Sequence, residues 1–154
     1  MVADRLQREG VFGYRTPTEG ELGQIRTIEM ERFDFAPFAS RCRFFQADAC
    51  NLKPLYKDFD LVLALNLIDR LYDPASFLRT IGDRMRPDGI LMIASPYSWS
   101  EEYTPKERWL GGLEKDGKES FEGLREILER DFELIDRFDQ PFACLLYTSP
   151  SPRD

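Results

Sequence analysis

The chain has 154 residues, a formal net charge of −7 and no histidine. This length is typical of one domain, and a hydrophobic content of 42% is enough to fill a core, which argues against a disordered chain. The acidic balance, without any cluster of Lys and Arg, argues against nucleic acid and anionic membranes as partners. Without histidine, neither a Ser-His-Asp triad nor a zinc-histidine site can form.

The cysteines, Cys42, Cys50 and Cys144, are odd in number and form no CxxC motif. They fit neither a disulfide framework nor a zinc site, and they favour a reducing compartment. The longest apolar run, residues 61–68, is too short to span a bilayer, and the N-terminus has no apolar signal core. The sequence therefore predicts a cytoplasmic protein without a metal site.

The N-terminal part of the chain predicts a helix end followed by a hairpin. ADRLQREG is typical of the last turns of a helix that stops at Gly10. Residues 11–16 and 22–30 have β-type compositions, and the turn residues 17–20 between them predict a hairpin. Residues 41–46 (RCRFFQ) are a further short strand candidate.

The middle of the chain predicts a βαβ unit. Residues 59–66 (FDLVLALN) are apolar without alternation, as in a strand covered by helices on both faces of a parallel sheet. Asp73 and Pro74 predict the N-cap and first position of a helix that ends before Pro87. The apolar face of this helix consists of Phe77, Leu78, Ile81 and Met85. After a turn at residues 86–89, GILMIA at 89–94 predicts the second strand, reached by a right-handed crossover.

The C-terminal part predicts a loop, a helix, a strand and a tail. Residues 97–112 carry both tryptophans without any periodicity, which favours a functional or lid-like loop. A helix is predicted over about residues 118–130, and weak alternation predicts a strand over 132–138. From Cys144 the sequence gains Ser and Pro, which favours an unstructured tail.

Polar side chains follow the predicted parallel strands, at the edge where open α/β sheets bind ligands. They are Asp48 with Ala49 after the first strand, Asn66 after the second and Ser95 after the third. An acidic residue beside backbone amides can read an adenine edge, and a polar residue after the next strand can face the reacting group. The same residues also serve as simple caps of strands and turns, and spacing alone leaves both interpretations open.

A resemblance to a known family lies in the strings FFQADACNLKP, FDLVLALNLIDRLYDP, RMRPDGILMIASP and SPYSWSEEYTPKERWLGG. Together they closely resemble the C-terminal methyltransferase domain of the OvoA ovothiol synthases, over about residues 2–142. QADACNL, FDLVLALNLIDRL and RPDGILMIASP are also similar to the third, fourth and later motifs of class I S-adenosylmethionine-dependent methyltransferases.

The resemblance implies an α/β fold, with an incomplete Rossmann-like, mostly parallel sheet, flanking helices and an extra N-terminal β-hairpin. It implies S-adenosylmethionine as the cofactor and methylation of an imidazole nitrogen of 4-mercaptohistidine (5-thiohistidine), in ovothiol biosynthesis. By position, Asp48 and Ala49 would contact the adenine, and Asn66 and Leu67 would line the cofactor crevice. Methyl transfer from a sulfonium is an in-line displacement that depends on proximity and orientation, so a site without histidine is compatible with it.

A histidine-derived substrate needs a carboxylate for its ammonium group and a cation for its carboxylate. The candidates are Asp69, Glu101 and Glu102 for the amine and Arg70, Lys106 and Arg108 for the carboxylate. The aromatic residues that could wall the pocket and stack on an imidazole are Tyr97, Trp99, Tyr103 and Trp109. Solvated loop charges and an aromatic cluster that packs on itself are the alternatives, and no catalytic residue is assigned.

The chain departs from the family pattern in one important respect. No GxGxxG or GxG turn follows a strand, although methyltransferases of this class bind the methionine part of the cofactor there. We therefore expect residues 1–143 to form a partial methyltransferase domain without the first strand, the glycine-rich turn and the second strand. Residues 144–154 stand where the family pattern continues with a last strand, and we expect them to be a non-native or disordered tail.

Such a fragment is expected to be inactive alone and to bind the cofactor weakly, and the parent chain is expected to carry a sulfoxide synthase domain as well. The alternatives are another small-molecule class I methyltransferase and a non-catalytic methyltransferase-like module.

Overall fold

The computed structural model describes residues 2–34 and 36–141. The chain divides after Asp48 into an N-terminal unit and a C-terminal unit. None of the helices in the described ranges combines the length and apolarity needed to span a bilayer. The predicted tail, residues 144–154, lies outside the described residues.

The N-terminal unit begins with helix α1, Val2–Glu9, which ends where the sequence predicts. Gly10 adopts a φ of 71° and its amide donates to the Leu6 carbonyl at 2.9 Å. A left-handed residue that closes the last turn in this way is a common helix stop, and glycine adopts it without steric penalty. The exposed ion pairs of Arg5 with Glu9 and of Arg8 with Asp4 are spaced four residues apart along the helix.

The predicted hairpin is confirmed, with a shorter turn. Strands β1, Val11–Glu19, and β2, Leu22–Glu29, pair antiparallel. The turn lies at Gly20 and Glu21, not at residues 17–20, because Pro17 pairs with Gly23 and remains inside the ladder. Proline is tolerated there since the ladder is irregular just after it.

The strand predicted over 41–46 is wrong. The chain forms short 3-10 helices at Met30–Arg32 and Ala36–Arg41, and residues 42–48 have no regular structure. The Gln7 side chain donates to the carbonyls of Ala39 and Cys42, so helix α1 supplies the partners for this backbone. The β-type composition of RCRFFQ produces no strand because no neighbouring strand in the described residues pairs with it.

The C-terminal unit contains the predicted βαβ arrangement. Strand β3, Phe59–Leu65, runs parallel to strand β4, Met85–Ala94, and helix α2, Pro74–Thr80, connects them. The Asp73 carboxylate caps α2 by accepting from the Ser76 amide at 3.0 Å, as the sequence predicts.

Two details of the βαβ unit differ from the prediction. Met85 starts β4 and pairs with Phe59 instead of extending the helical face, because the helix ends in a 3-10 turn at Gly82–Arg84. The predicted turn at 86–89 is a bulge inside β4, where the partner of Leu61 is already Ile90. Asp88 has a φ of 66° at this bulge.

The core lies on one face of the parallel pair. Its buried side chains are Ala64, Ile68, Leu71, Phe77, Leu78, Ile81, Leu110 and Leu124. Val62, Leu91 and Ile93 pack against these residues from the same sheet face. The opposite face is open in the described structure, with side chains such as Leu61, Leu63 and Ile90 about half exposed. The prediction that helices cover both faces is therefore wrong for the part of the chain that the structure describes.

The fold class is α/β, but the sheet is small. The described residues form one antiparallel and one parallel pair of strands, without a clear Rossmann arrangement. The predicted mostly parallel sheet is thus represented by β3 and β4 alone.

Helix α3, Ser120–Leu128, lies within the range predicted for it. A side chain at its central Gly123 would collide with the Leu110 carbonyl, so glycine allows the preceding loop to lie directly against the helix. The strand predicted over 132–138 is wrong, since these residues have no regular structure and Ile135 and Phe138 are exposed. Weak alternation does not by itself produce a strand, because strand formation also depends on packing against neighbouring strands.

Asp73→Ala removes the N-cap of α2, and we expect it to lower the free energy of unfolding by about 1 kcal/mol. Urea denaturation followed by circular dichroism measures this change. Asp83→Ala, at an exposed aspartate just after the same helix, is the matched control and should stay close to the wild type. Equal losses in the two variants would contradict the assigned cap.

Leu63→Lys places a charge in the middle of the open sheet face, and we expect it to reduce self-association, because exposed apolar patches beside strand edges promote it. Light scattering at increasing protein concentration measures the effect. Ile25→Lys, at a hairpin residue that is 83% exposed, is the control. If the two variants self-associate equally, the open sheet face is not the surface through which the protein self-associates.

Candidate functional site

The carboxyl ends of β3 and β4 lie side by side, because the strands are parallel neighbours. Leu65 pairs with Ala94, and the Asn66 amide donates to the Ala94 carbonyl at 2.7 Å. Asn66 and Tyr97, which follow the two strands, have positive φ values of 52° and 50°. Such a conformation is strained for a residue as bulky as tyrosine, and strained residues cluster at functional sites. This edge of the sheet is therefore the candidate functional site.

Asp69 joins the two strand ends. It lies in a 3-10 turn, Ile68–Arg70, and is only 1% exposed. Its Oδ1 accepts from the Ser95 hydroxyl at 3.0 Å and its Oδ2 from the Ser98 hydroxyl at 2.9 Å. Oδ2 also lies 3.0 Å from the guanidinium of Arg70. A buried carboxylate needs such partners, and here the partners fix the segment after β4 against the segment after β3.

Arg70 completes this network. Its Nη1 donates to the Ser98 carbonyl at 2.8 Å and its Nη2 to the Ser98 hydroxyl at 3.0 Å. Its Cζ lies 5.1 Å from the centre of the Tyr103 ring, within the range of a cation–π contact. The structure thus brings together Asp69, Arg70 and Tyr103, three of the predicted substrate-binding residues, and the charged groups of Asp69 and Arg70 are occupied by partners within the protein. Their role towards a substrate stays a prediction.

The loop at 97–112 is packed and anchored. Thr104 is fully buried and donates to the Leu71 carbonyl at 2.6 Å. The indole of Trp109 donates to the Thr104 carbonyl and that of Trp99 to the Ser120 hydroxyl. The two indole rings stack with centres 6.1 Å apart. The aromatic residues therefore form a cluster that ties the loop to α3, which is the alternative interpretation of this sequence.

A cavity of about 530 Å³ opens beside this cluster. Aromatic rings form much of its wall, namely those of Tyr97, Trp99, Trp109 and Phe121. Arg137 and Asp139 lie at the same cavity. Burial raises the pKa of the Tyr97 phenol; the positive charge of Arg137 opposes this rise and the negative charge of Asp139 adds to it. The phenol is therefore neutral at physiological pH and can donate a hydrogen bond.

Only part of this cavity is predicted from the sequence. Tyr97, Trp99 and Trp109 were expected to form its wall, whereas Arg137, inside the strand predicted over 132–138, and Asp139, directly after it, were not expected there. The opposite charges in DRFDQ, at the end of the weakly alternating segment, are the sequence signal that could have identified Arg137 and Asp139.

The other predicted substrate residues lie outside this cavity in the described structure. Glu101 and Glu102 are exposed on the loop. Arg108 donates to the Tyr72 carbonyl at 3.1 Å and lies 3.6 Å from Asp73, while Lys106 lies 5.7 Å from the centre of the Trp109 ring. The roles of these residues towards a substrate stay predictions.

The residues predicted to bind S-adenosylmethionine differ in their accessibility. Asn66 is exposed, and within residues 2–34 and 36–141 its side-chain amide has no hydrogen-bond partner. Leu67 and Ala49 are half-buried against the core of the C-terminal unit, and Asp48 is exposed at the end of the N-terminal unit. An accessible amide beside an apolar side chain, at the carboxyl end of a parallel strand, fits one side of a nucleoside crevice.

Asp69→Ala removes the carboxylate that accepts from the hydroxyls of Ser95 and Ser98 and from the guanidinium of Arg70. We expect it to lower the free energy of unfolding by about 1–3 kcal/mol, because hydrogen bonds to a charged, buried acceptor are lost. Urea denaturation measures the loss, and Asp116→Ala, at an exposed turn residue, is the control. A stability equal to that of the control would show that the carboxylate does not hold the strand ends together.

Comparison with known proteins gives one family match. Residues 24–93, just under half of the 154-residue chain, match the family model of a methyltransferase domain. The matched segment includes β3, α2 and β4, and therefore the strand ends of the candidate site. No curated protein matches the chain. The family match supports an S-adenosylmethionine-dependent methyltransferase of class I, and it fits the α/β fold.

Proposed function

We propose that this chain is a methyltransferase domain of ovothiol biosynthesis that transfers a methyl group from S-adenosylmethionine to an imidazole nitrogen of 4-mercaptohistidine. The observation that carries the proposal is the pair of residues with positive φ, Asn66 and the strained Tyr97, at the adjoining ends of β3 and β4, next to an aromatic-walled cavity. The resemblance of NLIDRLYDP and SPYSWSEEYTPKERWLGG to the ovothiol synthases supports the choice of substrate.

When bound, S-adenosylmethionine supplies an electrophilic methyl group on a sulfonium. On the proposed assignment, Asn66 and Leu67 line the crevice for it, and Asp48 with Ala49 contact the adenine. The exposed Asn66 amide can both donate and accept, so it can hold a polar group of the cofactor without moving the strand end. These residues position the cofactor and take no part in bond formation.

The substrate side relies on orientation. A neutral imidazole nitrogen already carries the lone pair for an in-line displacement, so this transfer depends chiefly on holding donor and acceptor in line. The rings of Tyr97 and Trp99 offer stacking surfaces for the imidazole. Because the Tyr97 phenol stays protonated, it can donate to the sulfur or the ring of the substrate. The other residues predicted as substrate contacts do not line this cavity, namely Asp69, Arg70, Glu101, Glu102 and Tyr103.

The sequence offers no glycine-rich turn for the methionine part of the cofactor, so we expect weak binding of S-adenosylmethionine and little or no turnover by this chain alone. Saturation-transfer NMR at millimolar cofactor measures the binding. Mass spectrometry after incubation with cofactor and mercaptohistidine, histidine or unrelated acceptors measures the methyl transfer. We expect any product to be methylated mercaptohistidine.

Asn66→Gly keeps the left-handed backbone but removes the amide, and we expect it to weaken cofactor binding by about three- to tenfold, the loss of one hydrogen bond. Gln24→Ala removes a similar amide from the exposed hairpin and is the control. Methylation only of acceptors unrelated to histidine would favour another class I methyltransferase. Absence of both binding and product would favour a non-catalytic module.

A further inference from the structure

Three charged residues line the aromatic-walled cavity. Glu119 is the N-cap residue of α3, whereas Arg137 and Asp139 are of opposite charge and two residues apart in the chain. Arg137 and Asp139 both line the cavity, together with the rings of Tyr97, Trp99 and Phe121. The Cζ of Arg137 lies 3.9 Å from the centre of the Phe121 ring, so the guanidinium is held over the face of an aromatic residue from α3. This stacking positions the cation while leaving the edge of its N–H donors available.

Arg137 and Asp139 are exposed, and throughout the described ranges 2–34 and 36–141 their side chains make no ion pair or hydrogen bond. The stacking of Arg137 on Phe121 is a cation–π contact and leaves its charge without a counter-ion. In contrast, Arg70 and Arg108 in the same unit are each bound to an aspartate. The neighbouring Tyr97 phenol is neutral, so it does not neutralise either charge.

We propose that Arg137 and Asp139 determine substrate specificity by binding the carboxylate and the ammonium group of one free amino acid. The inference rests on the proposed function for the identity of the side chain, which would lie against Tyr97 and Trp99. An arginine fork matches a carboxylate with two charge-assisted hydrogen bonds, and an aspartate accepts from an ammonium group. The cavity volume of about 530 Å³ suits a ligand of this size.

This assignment differs from the one based on the loop charges. Asp69 and Arg70 already satisfy each other and the two serines, so using them for a zwitterion would dismantle the support of the strand ends. Glu101 and Glu102 lie outside the cavity. Arg137 and Asp139 can bind a ligand without breaking any ion pair or hydrogen bond of the described residues.

Tryptophan fluorescence tests the proposal directly, because the only tryptophans of the chain, Trp99 and Trp109, both line this cavity. The full chain is titrated, without cofactor, with mercaptohistidine, histidine, histamine and imidazole propionate. Histamine lacks the carboxylate, and imidazole propionate lacks the amine. We expect each analogue to bind about tenfold or more weakly than histidine, as for loss of a charge-assisted bond.

The variants make the test specific. Arg137→Gln should abolish the preference for histidine over histamine, and Asp139→Asn should abolish the preference over imidazole propionate. Arg130→Gln and Asp131→Asn, at exposed positions outside the cavity, are matched controls that should keep both preferences. Thermal melting of each variant verifies that it is folded. Unchanged preferences in Arg137→Gln and Asp139→Asn, or wild-type protein that does not discriminate, would overturn the proposal.

The binding test and the methyl-transfer test fail separately. Selective amino-acid binding without any methyl transfer would contradict the proposed function and leave this inference standing. Methyl transfer to mercaptohistidine by Arg137→Gln and Asp139→Asn with an unchanged KM would overturn this inference alone.

Discussion

The buried carboxylate of Asp69 is the contact on which the candidate site depends. Two parallel strands end next to each other, and nothing in a β-ladder determines where the chain goes after its last pair. Asp69 determines the path of the chain after β4, because its carboxylate accepts hydrogen bonds from the hydroxyls of Ser95 and Ser98. The Ser95 hydroxyl oxygen also accepts from the Tyr97 amide at 3.1 Å, so the strained backbone of Tyr97 is held by the same network. The position of the aromatic cavity therefore follows from one carboxylate under the sheet edge.

Two sets of charged residues near the candidate site differ in their partners. Asp69, Arg70, Asp73 and Arg108 form ion pairs or donate to backbone carbonyls, and these contacts join the loop to the βαβ unit. Arg137 and Asp139 line the cavity without such contacts in the described residues. Residue type does not separate the two sets, because an aspartate and an arginine occur in each. Exposure does not separate the arginines either, so the difference lies in the partners that each side chain has.

The elements that were predictable from sequence are those specified by local signals. The apolar run of β3, the Asp73 cap and the glycine after α1 each determine their own conformation, and all are observed. The strands predicted at 41–46 and 132–138 had suitable residues but depended on a pairing partner, which no local pattern reveals. The charges at the cavity were missed for a similar reason. Arg137 meets Tyr97 only through the fold, since 40 residues separate them in the chain.

The close approach of Leu110 to Gly123 bears on the order in which the C-terminal unit folds. Helix α3 has only 9 residues, and helices shorter than about 12–15 residues are marginal in isolation. A glycine in its interior weakens it further, by about 1 kcal/mol relative to alanine. The helix therefore gains its stability from packing against the loop, which can approach it closely because residue 123 is a glycine. The loop and the helix are therefore expected to form in one step.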